Sequence, residues 1–209
     1  MAGVCVHPGV RLNDLPARWP LSGAAAVCDE LLAAYADPAR GYHDTRHLTE
    51  VLDRLDELAE AGARFDRIAV ALAAWFHDAV YDGRPDAEER SAAWAETALA
   101  RHEPELVGEV ARLVRLTETH RPAPEDRNGC ALSDADLAIL AAPPDRYAEY
   151  VADVRREYAH VSDDDFRAGR AAVLSDLLAK PRLFHTAHAQ EHWEPAARAN
   201  VEAELTRLA

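Results

Sequence analysis

His43 and His47 lie four residues apart in "GYHDTRHLTEVL", and "ALAAWFHDAVYD" closes nine straight apolar residues, Ile68 to Phe76, with His77 and Asp78. An unpaired carboxylate at the end of a buried helix costs on the order of several kcal/mol or shifts to its neutral form. A bound divalent cation removes that cost and uses both groups. The ordinary alternative is an arginine partner for Asp78 and a core position for His77. A His pair at i and i+4 can share a helix face or straddle a helix start, and either ring can ligate a metal through one nitrogen. Two solvated histidines are the commoner reading of such a pair alone.

A third segment adds to these. In "LSDADLAIL", residues 132–140, Leu132, Asp136, Ile139 and Leu140 fall on one helical face. Asp134 falls on the other side, since two residues turn about 200°, and it suits a helix N-cap. An inward Asp136 among leucines again asks for a cation. His47, His77, Asp78 and Asp136 thus form a candidate set of two histidines and two carboxylates. Mixed nitrogen and oxygen donors suit Mn, Fe, Zn, Co or Ni. With one ion or two of five- or six-coordinate character, positions stay open for water and substrate.

Further candidates surround this set. His120 lies on the stripe Leu106, Val110, Leu113 and Thr117 and can point inward, to hold a second ion or a phosphate oxygen. Glu88 and Ser91, on one helix face, can position water or substrate; their bland reading is a first-turn acid and a surface serine. Tyr42 and Tyr81 can wall a pocket, as amphipathic residues at a core edge do. Arg155, Arg156 and Arg170 are candidates for a phosphate clamp, because a guanidinium matches phosphate oxygens in a fork. With 22 arginines in the chain, most are plain surface. His185, His188 and His192 lack a fourth ligand nearby and read as a solvated loop and helix cap.

The elements that must position these groups are helical. Ala and Leu dominate, Gly is only 9, and β-branched runs are scarce. Residues 1–20, with Pro8, Pro16 and Pro20, read as an irregular lead-in. Helices are expected over 21–35, from Asp44 or Thr45 to Gly62, and over 66–80, 86–102, 105–120, 134–141, 145–159, 163–179 and 195–208. The stripe Leu48, Val51, Leu52, Leu55 and Leu58 follows the 3.6-residue period. The segment 66–80 is apolar nearly all round, which fits a central buried helix. Pro122, Pro124 and Gly129 read as a loop, as does 181–190. No strand pair, repeat or long linker appears, so a single all-α domain over 1–209 is expected, with the metal-site core in 42–140.

Composition limits the partners. The formal charge is −14 and Lys180 is the only lysine, which argues against a nucleic-acid polymer. An anionic small substrate would need local positive charge from a metal or a few arginines. Cys5, Cys28 and Cys130 are odd in number and far apart, which suggests a reducing compartment. Neither a membrane span nor a signal peptide is evident, so a soluble, cytoplasmic protein is expected.

The pattern H…HD…D on helices, carried by "YHDTRHL", "AAWFHDAVYD", "EERSA", "TETH" and "SDADLAIL", resembles the HD superfamily of metal-dependent phosphohydrolases. It resembles more closely a small bacterial family described as predicted metal-dependent HD phosphohydrolases, whose substrate is unsettled. With "VRREY" and "EAEL" the likeness covers residues 42 to about 205. Cyclic nucleotide phosphodiesterases share a similar "YHxxxH…HD…ADL" pattern. There the first histidine donates a proton and the second is a ligand, which implies these roles for His43 and His47. Ala87 stands where the family often has Asn, and Asp44 where it has "YHN".

The expected activity is metal-dependent hydrolysis of a phosphoester in a nucleotide or similar small metabolite. Asp136 or Glu88 would steer water, and His43 would donate to the leaving oxygen. A di-iron oxygenase using His102 and His120, and a non-catalytic ligand-binding protein, are the rival readings.

Overall fold

The computed structural model describes residues 12–209, which form ten α-helices and two 3-10 helices with no strand, packed as a single helical domain. Cys5, Pro8 and the start of the lead-in lie outside the described residues. Leu12–Arg18 is a 3-10 helix that contains Pro16.

Helix α1 spans Ala25–Tyr35, and α2 spans Thr45–Glu60. Asp44 caps α2 by accepting from the Arg46 and His47 amides, so His43 stands just outside the helix and His47 in its first turn. The α2 stripe Leu48, Val51, Leu52, Leu55 and Leu58 is buried. Each such side chain contributes about 1.5–3 kcal/mol when fully buried. Helix α3, Arg67–Phe76, is capped by Asp66 and buried through Leu72, Ala73, Ala74, Trp75 and Phe76. It packs against α2, α5 (Val107–Leu116) and α6 (Arg127–Leu137), and so runs through the centre. Helix α4, Ala87–Leu99, lies against α5.

Helix α6 begins at Arg127, where a loop through Gly129 and a helix from Asp134 were expected. Asp126 is its cap, accepting from the Gly129 amide. Gly129 is thus a first-turn residue whose missing Cβ makes room. A Cβ there would collide with the Asp126 carboxylate and stand 2.6 Å from Leu116 Cδ2. A short 3-10 helix, Ala138–Ala141, follows α6. Helices α7 (Pro144–Glu157), α8 (Asp163–Ala179), α9 (Ala187–His192) and α10 (Glu194–Leu208) complete the chain. The segment 181–190, expected as a loop, contains the start of α9 because Thr186 caps it.

Three elements meet at one end of this packing. Helix α2 begins there, while α3 and α6 both end there.

Candidate metal centre

His77 follows the last residue of α3, and its ring orientation is fixed by its backbone. Its Nδ1 lies 2.7 Å from the Ala74 carbonyl oxygen, which can only accept. Nδ1 therefore carries a proton, and Nε2 is the nitrogen turned toward the carboxylates, where an ion in place of its proton would meet a lone pair. His47 is held similarly. Its Nδ1 stands 2.9 Å from the Tyr42 hydroxyl, which leaves Nε2 facing inward.

The two Nε2 atoms lie 3.0 Å apart. Asp78 Oδ2 is 3.2 Å from His47 Nε2 and 3.0 Å from His77 Nε2. Asp136 Oδ1 is 3.2 Å from His47 Nε2 and 3.5 Å from His77 Nε2. An ion held at about 2.0–2.2 Å would set neighbouring donors about 2.8–3.6 Å apart, for angles between octahedral and tetrahedral. All five separations fall in that range. His47, His77 and Asp78 form a group able to hold one metal ion, and Asp136 adjoins it. Both histidines are buried, and both carboxylates are nearly so.

The electrostatics agree with a cation site. Burial opposes ionisation of the carboxylates, yet the facing imidazoles hold Asp78 and Asp136 well below the usual carboxylate range. Burial likewise opposes the imidazolium form of His47. Its hydrogen bonds to Asp136 and Asp78 outweigh that and raise it to about 9. Without an ion, protons supply the charge that these two carboxylates need. A single cation held by His47, His77 and Asp78 would take over that role and free the protons.

His43 stands beside the centre. Its Nδ1 donates to Glu157 Oε2 at 2.8 Å, and Glu157 Oε1 accepts from the Gly41 and His43 amides. Its ring stacks on Tyr81 with centroids 3.9 Å apart. Nε2 has no partner among the described residues. Arg40 ties the loop to the His77–Asp78 turn by donating to the His43, Asp78 and Ala79 carbonyls. Neither Glu157 nor Arg40 was singled out from the sequence. "VRREY" contains Glu157, but the arginines beside it drew the reading.

A cavity of about 560 Å³ opens over the centre. Tyr42, His43, Asp78, Tyr81, Glu88, His120, Asp136 and Arg170 line it, as does Lys180. His120 adopts a left-handed backbone, φ 49°, unusual for a non-glycine residue. Its Nε2 lies 3.5 Å from Asp136 Oδ2 and its Nδ1 lies 3.2 Å from Ser133 Oγ. Burial lowers its pKa, which favours the neutral ring. Arg170 is fixed by Glu204 and by the Tyr150 hydroxyl, and Nη1 has no partner among the described residues.

Three candidates are not brought to this cavity. Ser91 is fully buried, and its hydroxyl accepts from the Val80 amide. It braces the turn after Asp78. Arg155 is spent on Asp163 and on the Tyr158 and Val161 carbonyls. Arg156 binds Asp153 and the Gly41 carbonyl.

Asp134 is not an N-cap either. It is buried within α6, and its two oxygens accept from the His185 and Thr186 amides. It therefore anchors the entry to α9. His188 is half-buried and binds Glu57, and His192 stacks on it but stays exposed, so of these histidines His188 is the one tied into structure by its side chain. His102, which an oxygenase needs as a ligand, is exposed after α4 and does not line the cavity.

Compared with protein-family models, with curated proteins and with solved structures, the chain matches none.

Proposed function

We propose that the protein is a metal-dependent phosphohydrolase of the HD type, acting on a phosphoester of a nucleotide or similar small metabolite. The observation that carries this reading is the convergence of His47, His77 and Asp78 at ion-coordination spacing, with Asp136 beside the two histidines, beneath a cavity that His43 also lines. These are the positions that the H…HD…D pattern singles out.

When bound, a divalent transition metal would supply Lewis-acid activation of the phosphoryl group and of water. It would also offset the acidic side of the cavity, where Asp78, Glu88, Glu118, Asp136 and Asp176 would repel an anion. Arg170 and Lys180 are the basic side chains in the same wall. Arg170 Nη1 is available to a phosphoryl oxygen. Glu88 and Asp136 Oδ2 are the carboxylate oxygens suited to orient the attacking water. Glu157 fixes the ring of His43 so that Nε2, when protonated, serves as general acid to the leaving oxygen.

The test is phosphate release from a panel of phosphorylated metabolites, with protein reloaded separately with Mn, Fe, Co, Ni and Zn. Turnover that depends on the metal and is abolished in His77→Ala supports the reading. Absence of phosphate release with every metal and ester, from protein shown to carry the ion, would overturn it.

A further inference from the structure

A second cavity, of about 430 Å³, shares His43, Tyr81, Tyr150, Arg170 and Val173 with the first. Asp78 and Asp136 line only the first. The added wall comes from the end of α7, the following turn and α8, and includes Tyr158, Val161 and Phe166. It is mostly apolar. Its acid, Asp165, already accepts from the Ser162 hydroxyl, and Arg170 is held by Glu204.

Apolar surface is also left uncovered here. Tyr158 is 37% exposed and Val173 is 55% exposed, and they are two of the three exposed large hydrophobic residues among the described residues. Folding gains nothing from leaving such groups in water, and apolar patches of this kind mark binding sites. The volume falls within the ~300–1,000 Å³ of small-molecule sites.

We infer that this second cavity is the leaving-group subsite, and that the substrate is an ester whose leaving alcohol carries an apolar ring. The inference rests on the phosphohydrolase reading. His43 stands where the two cavities join, so an ester with its phosphoryl group over Asp78 and Asp136 and its ring against Phe166 and Tyr158 would bring its bridging oxygen to His43. In the reaction the phosphorus–oxygen bond to the leaving group breaks, and its electron pair goes to that oxygen. The oxygen takes the proton from His43 Nε2. The water oxygen forms the new bond to phosphorus, and its proton passes to a carboxylate of the first cavity.

Two measurements separate this inference from the reading beneath it. The first is fluorescence titration with 2-naphthylmethanol, an uncharged probe that needs neither phosphate nor metal. The second is kcat/KM of the metal-loaded protein for 2-naphthylmethyl phosphate against ethyl phosphate, whose leaving alcohols are of similar acidity. The probe should bind, and the naphthylmethyl ester should be preferred by at least about tenfold, the scale of apolar-pocket discrimination. Phe166→Ala and Val173→Asp should each weaken probe binding and reduce that ratio, with metal stoichiometry unchanged. Probe binding that neither variant alters, or two esters hydrolysed equally well, would overturn the subsite and leave phosphohydrolysis standing. A probe that binds at this wall in metal-loaded protein that releases phosphate from no ester would overturn the leaving-group role together with the activity.

Discussion

His43 and His47 are four residues apart, yet they differ in what their second nitrogen meets. His47 Nε2 faces His77 and two carboxylates, while His43 Nε2 is open to the cavity and its Nδ1 is bound to Glu157. His43→Ala should therefore keep one ion per chain and lower kcat by on the order of 10²–10⁴, with a smaller loss for nitrophenyl esters, which need little protonation. Metal analysis beside kcat for the two ester types checks this. Equal losses on both would remove the general-acid role.

Glu157 gives a separate pH signature. Burial works against its ionised form, but hydrogen bonds from His43 and the loop amides outweigh it and lower its pKa. A carboxylate with a lowered folded pKa stabilises the fold fully above its ordinary value and loses that contribution as pH falls through the folded value. Denaturant melts of Glu157→Gln should thus show a stability deficit above about pH 4.5 that narrows below it. A deficit constant from pH 7 to pH 3 would mean that Glu157 acts only through shape.

At the scale of elements, the site depends on how closely α7 approaches the loop before α2. Gly41 has no room for a Cβ. One placed there would overlap the Asp153 carbonyl oxygen and stand 2.8 Å from Glu157 Cγ. Gly41→Ala should cost about 1–3 kcal/mol, as overpacking does, and should lower phosphate release through Glu157 and His43 while the ion is retained. Thermal melts with metal analysis read both; an unchanged melt and full activity would show that α7 yields freely.

Helix α6 supplies a second comparison. Asp136→Asn should weaken metal binding far more than Asp134→Asn. The latter removes one acceptor from the His185 and Thr186 amides and should cost about 1–3 kcal/mol of stability. Metal titration and melts of the pair should give opposite rankings.

The sequence makes α2 legible because its cap and apolar period agree, and α3 because its apolar run is unbroken, although that helix ends at Phe76 and not at Val80. It misplaces the start of α6 because a glycine packed beneath a capping acid looks like a breaker. The pairing of His43 with Glu157 spans 114 residues, and nothing local marks that glutamate among the many acids of the chain. Ser91 and Asp134 mislead for the opposite reason. Both are polar residues whose buried backbone partners only the folded chain reveals.

At the scale of the whole molecule, the described residues pack as a single domain of ten α-helices, and α2, α3 and α6 bring together a group that could hold an ion. No helix among the described residues is long and apolar enough to cross a membrane. An ion that binds the folded chain alone stabilises it by about 2.7 kcal/mol at a hundredfold excess over Kd. Chelator-stripped protein should therefore melt at a lower temperature than reloaded protein. The Asp78→Ala variant should show no such difference, and an equal shift in both would place the ion elsewhere.

His47, His77 and Asp78 are expected to hold one metal ion. Calorimetric titration of stripped protein with Mn, Co, Ni and Zn tests it most directly, run beside His47→Ala, His77→Ala and Asp78→Ala variants whose helical circular dichroism matches the parent. One tight ion per chain is expected in the parent for at least one of these metals, with that tight binding lost in each variant. Full stoichiometry at unchanged affinity in any of the three folded variants would contradict it.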